Sequence, residues 1–150
     1  MKKLLSVILA IAMCCSLCVG AMAYNGSDGE TNGSEMIDVD PTVPMPCTVT
    51  ESFQATLNGN ESLNKDMVLS GDYRYFIMHI VNTGDYSINV DVDGKVYSVP
   101  ANSGKYIHST NRWSAGTYTI GFATAKVGVP MKGSVVCSIA TTLEEVAFPS

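Results

Sequence analysis

The sequence is short of charge, and shortest of positive charge. Charged residues make up 15% of its 150 residues, with nine Lys and Arg against fourteen Asp and Glu. Lys2 and Lys3 fall in an N-terminal leader, so the remainder keeps seven basic and fourteen acidic side chains, a formal balance of minus seven. Nucleic acid and anionic membrane surfaces are held by clustered Lys and Arg, and no basic run occurs past the leader. Neither is an expected partner. Imidazole is scarce too, with His79 and His108 alone. No G-x-S-x-G elbow is present, the C-x-x-C of Cys15 and Cys18 is a decoy within the leader, and no pair of acids is selected by its spacing for glycoside chemistry. Asp91-Val92-Asp93-Gly94 lacks the further ligands and the glutamate of a calcium loop. The expectation is a non-catalytic protein without metal or cofactor.

Long apolar runs are missing except at the start. Met1 to Lys3 is positive, Leu4 to Val19 is almost wholly apolar, and Ala21-Met22-Ala23 supplies a small-residue cleavage site. Together these read as a secretory signal peptide over residues 1–23, too short for a membrane span. Three of the five cysteines, Cys14, Cys15 and Cys18, leave with it. Met13, Cys14 and Leu17 precede them where a lipoprotein signal needs a small residue, so lipidation is not expected. The chain is expected outside the cell, with no membrane span after processing.

Only Cys47 and Cys137 then remain. One even pair in an exported domain is read as one disulfide, with two buried thiols as the alternative. Residues 24–46 form an acidic segment rich in Gly, Ser and Asn that ends on Pro41, Pro44 and Pro46. It has little apolar surface to offset ordering entropy, so it reads as a flexible linker that adds nothing to a core.

From Cys47 to the end the pattern becomes period two. Strands are expected from Cys47, over Ser62 to Leu69, over Tyr73 to Val81 (apolar on both faces, as for a covered central strand), over Lys105 to Thr110, Thr117 to Thr124, and Met131 to Thr141. The firmest element is a hairpin. Asp93-Gly94 suits a type I′ turn, and counting across it pairs Val90 with Tyr97 and Ile88 with Val99. Ile88, Val90, Val92, Tyr97 and Val99 then share one face, a self-consistent half-buried register. No capped helical stretch exists beyond one turn at Leu143 to Val146. Residues 47–150 are therefore expected to form an all-β antiparallel sandwich, jelly-roll-like, of seven or eight short strands.

Two turn-and-strand motifs carry a resemblance: Asn82-Thr83-Gly84-Asp85-Tyr86 and Ala115-Gly116-Thr117-Tyr118-Thr119. With them, the span from Asp72 to Phe122, about a third of the chain, resembles the small secreted bacterial β-sandwich modules of the pre-peptidase C-terminal type. Such modules accompany secreted enzymes as appendages, and this chain departs from that pattern in that no enzyme domain is expected beside the module.

The candidate ligand site is aromatic. Trp113, the only tryptophan, stands in a loop with Asn111 and Arg112, and Tyr106 and His108 lie on the strand before it. A flat ring among polar groups can stack on a sugar while its neighbours bond the hydroxyls. The alternative is that Trp113 turns inward and plugs the sandwich, the commoner fate of a lone large aromatic. The expected function is a secreted binding module for carbohydrate or a cell-surface protein. A structural protein assembling through strand edges is the alternative, followed by a small hydrolase or inhibitor.

Overall fold

Alternation dictates the clearest local structure, and the computed structural model, which describes residues 32–38 and 49–147, places it as expected. Strands β5 (Ile88–Val92) and β6 (Lys95–Val99) pair in the register counted from the turn, Val90 opposite Tyr97 and Ile88 opposite Val99. Asp93 and Gly94 both take positive φ, 53° and 80°, as a type I′ turn demands. Asp91 Oδ1 accepts a bond from Gly94 N at 2.9 Å and closes the turn. Ile88, Val90, Val92, Tyr97 and Val99 are buried, whereas Val96 on the opposite face is 62% exposed.

The other strands are β1 (Ser34–Ile37), β2 (Thr50–Thr56), β3 (Ser62–Leu69), β4 (Tyr75–Asn82), β7 (Ser103–Ser109), β8 (Gly116–Thr124) and β9 (Gly133–Ala140). They form two antiparallel sheets, one ordered β1-β7-β4-β9-β2 and the other β3-β8-β5-β6. The fold is all-β and consistent with a sandwich, with nine strands and no helix among the described residues. Leu143 to Ala147 makes one turn, Val146 N and Ala147 N both donating to Leu143 O.

β4 shows why its sequence is apolar throughout. Phe76, Met78 and Ile80 enter the core between the sheets, with Met67, Leu69, Val90, Phe122, Val135 and Cys137. Ile77 points the other way and joins Tyr106, Ala140 and Val146 in a second buried cluster on the outer face. A strand buried on both faces loses its alternation. Asn82, buried at its end, ties the sheets together. Its Nδ2 donates to the carbonyls of Tyr86, Val99 and Pro100 at 2.9–3.1 Å, and its Oδ1 accepts from Gly84 N.

Two expectations need correction. Residues 24–46 are not simply a linker, because Ser34–Ile37 within them forms β1, the edge strand paired with β7. It is held by side chains distant in sequence, described below, so the segment does contribute to the domain. The first strand of the expected sandwich begins at Thr50 rather than Cys47. Cys47 lies outside the described residues, as do the leader and its cysteines, so the expected pairing is described at one end only. Cys137 is a free, buried cysteine opposite Phe53 and Met78, its Sγ 3.7 Å from Met67 Sδ.

Candidate functional site

A strand edge is a row of unpaired donors and acceptors, and β1 covers the one that β7 presents. Its register runs from Ser34 opposite Ser109 to Ile37 opposite Tyr106. Residues 32–38 do more than pair with one strand. They lie along the seam where the edge of the five-stranded sheet meets the β5–β6 edge of the other, and both sheets hold them.

The grip begins at Gly33. Its N–H donates to Asn111 Oδ1 at 2.6 Å, and its carbonyl accepts from both Thr110 N and Trp113 Nε1 at 2.9 Å. A Cβ at this position would collide with Thr110 Oγ1 and Asn111 Oδ1, so the seat admits glycine alone without rearrangement. Next, Ser34 is buried, its Oγ 2.6 Å from Tyr97 OH, and its carbonyl accepts from Lys95 Nζ at 2.5 Å. Asn32 Nδ2 donates to Asp93 Oδ2 at 3.1 Å.

Toward the other end the contacts are ionic. Glu35 Oε1 lies 2.9 Å from His108 Nε2, while His108 Nδ1 faces Ser109 O at 3.0 Å. Asp38 Oδ2 pairs with Lys105 Nζ at 2.7 Å. Met36 packs against the inter-sheet core and Ile37 against the outer cluster. The acidic segment is thus met by Lys95, Lys105 and His108.

This arrangement decides the role of Trp113. The ring is 1% exposed, meeting Phe76 edge-on with centroids 4.9 Å apart and Tyr118 likewise at 4.8 Å. A ring with neither face open cannot stack on a sugar, so the sugar platform is corrected to a core plug. Tyr106 is equally buried, stacked on His79 with centroids 4.4 Å apart and planes 10° from parallel. Burial raises the Tyr106 hydroxyl and lowers His79 from their ordinary values. Arg112 is exposed. Of the four expected ligand residues, Trp113 and Asn111 do converge on a segment, and Tyr106 borders it in register, but the segment belongs to the chain itself.

No group of three or more metal-ligating side chains gathers among the described residues, and no helix among them is long and apolar enough to cross a membrane. Sequence reasoning passed over Lys95, Tyr97 and Gly33 as site residues. The Asn-Gly-Ser run at 32–34 was their one local signal, since a glycine and a small hydroxyl suit close backbone approach. No family model, curated protein or solved structure matches the chain.

Proposed function

We propose that this is an exported, non-catalytic binding module that works by strand addition, the edge of β7 serving as acceptor for an extended, acidic segment. One observation carries the reading: residues 32–38 lie in that position, hooked by Asn111, Trp113, Tyr97 and Lys95 at one end and by His108 and Lys105 at the other. In strand addition, main-chain bonds supply affinity and side-chain pockets supply specificity. Both are present, with the Gly33 seat as the most selective pocket. His108 is held by Glu35, and the His79 ring stacks on Tyr106 with its Nε2 buried and without a hydrogen-bond partner. A leader that directs export and an acceptor edge that takes peptide fit a cell-surface or secreted protein partner better than a sugar.

The test uses a fluorescent peptide of residues 31–40 and the chain from Tyr24 onward. A resident strand competes with added peptide, so apparent affinity is reduced by the fraction of acceptor that is open. Gly33→Val in the chain unseats its own strand. The peptide is expected to bind this variant saturably and at least tenfold tighter than the unaltered chain, and a peptide carrying Gly33→Val to bind neither. Failure of the unaltered peptide to bind the variant, with its sheet signature in circular dichroism retained, would refute strand addition.

A further inference from the structure

The segment seated on β7 leads to the opposite edge of its own sheet. The order β1-β7-β4-β9-β2 puts β1 and β2, consecutive in sequence, at the two extremes. Tracing partners across the sheet, Ser34 is level with Ser109, Phe76, Ile139 and Thr50. Ile37 is level with Tyr106, His79, Val136 and Gln54. The two strands therefore run the same way. From Asp38 the chain must return along the strand direction and cross four strand spacings to reach Val49. At about 4.8 Å per spacing and about 3.3 Å per residue, those ends are roughly 25 Å apart. The eleven Cα–Cα steps from Asp38 to Val49 extend to at most about 36–40 Å.

From this we infer that β1 is exchanged between copies of the chain, the residue 32–38 segment of one molecule seating on β7 of the next. The inference rests on the strand-acceptor reading and names its partner, a second copy. Four observations support it. The donor is a short strand whose removal breaks no pairing other than its own with β7. It is joined to the rest of the described fold by residues 39–48, and the eleven Cα–Cα steps from Asp38 to Val49 exceed the span that seating within one molecule requires. Donor and acceptor match in their polar partners, Asp38 paired with Lys105 and Glu35 hydrogen-bonded to His108. And an emptied seam would uncover the indole N–H of Trp113, the Tyr97 hydroxyl and the flank of the core that Met36 covers, a strong drive to refill it.

The geometry also sets the form of the assembly. Donor and acceptor stand at opposite edges of one sheet, so one molecule's donor and the next one's acceptor meet head to tail. Such heterologous contacts close into rings or run on as open chains, and two copies that exchange strands reciprocally form a dimer.

Connector length separates the two modes of seating. Deleting Pro41 to Met45 leaves six steps, about 20–22 Å of reach, less than the span that seating within one molecule requires. The shortened chain, from Tyr24 onward, is expected to run as a ladder of oligomers in light scattering after gel filtration, with a larger oligomeric share than the unaltered chain at the same concentration. Carbodiimide coupling of Lys105 to Asp38, a pair 2.7 Å apart, reports where the strand sits. When ¹⁴N and ¹⁵N chains are refolded together, that cross-linked peptide should carry mixed labels in the oligomers. Unaltered chains co-refolded at high concentration give the same readout if the deletion fails to fold. A shortened chain that stays monomeric and loses the cross-link, or unaltered chains that give only same-label cross-links at every concentration, would overturn exchange. If the fluorescent peptide still binds the Gly33→Val chain in that event, the acceptor reading stands and only the second copy is wrong.

Discussion

Truncating Trp113 to alanine separates a core residue from a ligand platform, and the structure fixes the size of the effect. The indole is buried, contacts two aromatic rings edge-on and donates one hydrogen bond to Gly33 O. Large-to-small replacement of a buried aromatic costs about 3–5 kcal/mol, because a cavity adds to the lost transfer energy. Aromatic pairs of this geometry are worth about 0.5–1.5 kcal/mol beyond area. With two of them lost, Trp113→Ala belongs at the upper end, about 4–5 kcal/mol. Trp113→Phe keeps most of the packing and loses the donor. Gly33 O still accepts from Thr110 N, so no buried carbonyl is orphaned, and the bond itself contributes about 0.5–1.5 kcal/mol. The expected loss is about 1–3 kcal/mol, including the smaller ring. Urea titration followed by circular dichroism measures both, since neither variant retains the tryptophan signal. Trp113→Ala should also loosen β1, seen as faster amide exchange at Glu35 and Ile37. A Trp113→Ala protein within about 1 kcal/mol of the parent would refute the core assignment and reopen the ring as a ligand surface.

Three further outcomes follow from other parts of the fold. Asn82→Ala strips the donors from three backbone carbonyls at the sheet junction and is expected to cost about 2–3 kcal/mol, read as a lower urea midpoint; a neutral result would mean water replaces the amide. Burial lowers His79 from its ordinary value near 6.5, so between the folded and unfolded pKa values the unfolded chain binds more protons. Stability should therefore fall as pH drops through 6.5 and below, and His79→Phe, which can keep a ring on Tyr106, should flatten that slope; equal slopes in the two proteins would remove His79 as the cause. Cys137 is fully buried and its thiol is pushed up by burial, so native protein should resist alkylation there and react once denatured without reductant. A Cys47–Cys137 cross-link in a non-reduced peptide map would contradict this.

The parts of the fold legible in the sequence are those whose causes are local. Asp93-Gly94 imposes positive φ on two adjacent residues, and from that turn the β5–β6 register follows by counting. Ser62 to Leu69 alternates between turns and is β3 to the residue. β1 escaped because nothing within Ser34-Glu35-Met36-Ile37 marks a strand. Its support comes from Lys95, Tyr97, Lys105, His108, Asn111 and Trp113, all far along the chain. The order of strands in each sheet is non-local in the same sense. Of the site, the clustering of Trp113, Asn111 and His108 could be read from proximity in sequence. That a glycine carbonyl from the acidic segment would cap the indole N–H could not.

The strand order also governs when the chain can fold as it emerges N-terminus first. β1 has no partner until β7 exists, and β2 none until β9, the last strand, is made. β4 is flanked by the same two latecomers, β7 and β9. Among the described strands the β5–β6 hairpin is the one pairing between consecutive strands, so it is the piece of them that local contacts can assemble early. Non-local pairing of this kind folds slowly. Until the C-terminal strand arrives, the five-stranded sheet lacks the strand that joins β4 to β2, so a stop a few residues before Gly133 should leave β2 unpaired and one edge of β4 open, while β3-β8-β5-β6 and β1-β7-β4 can still pair.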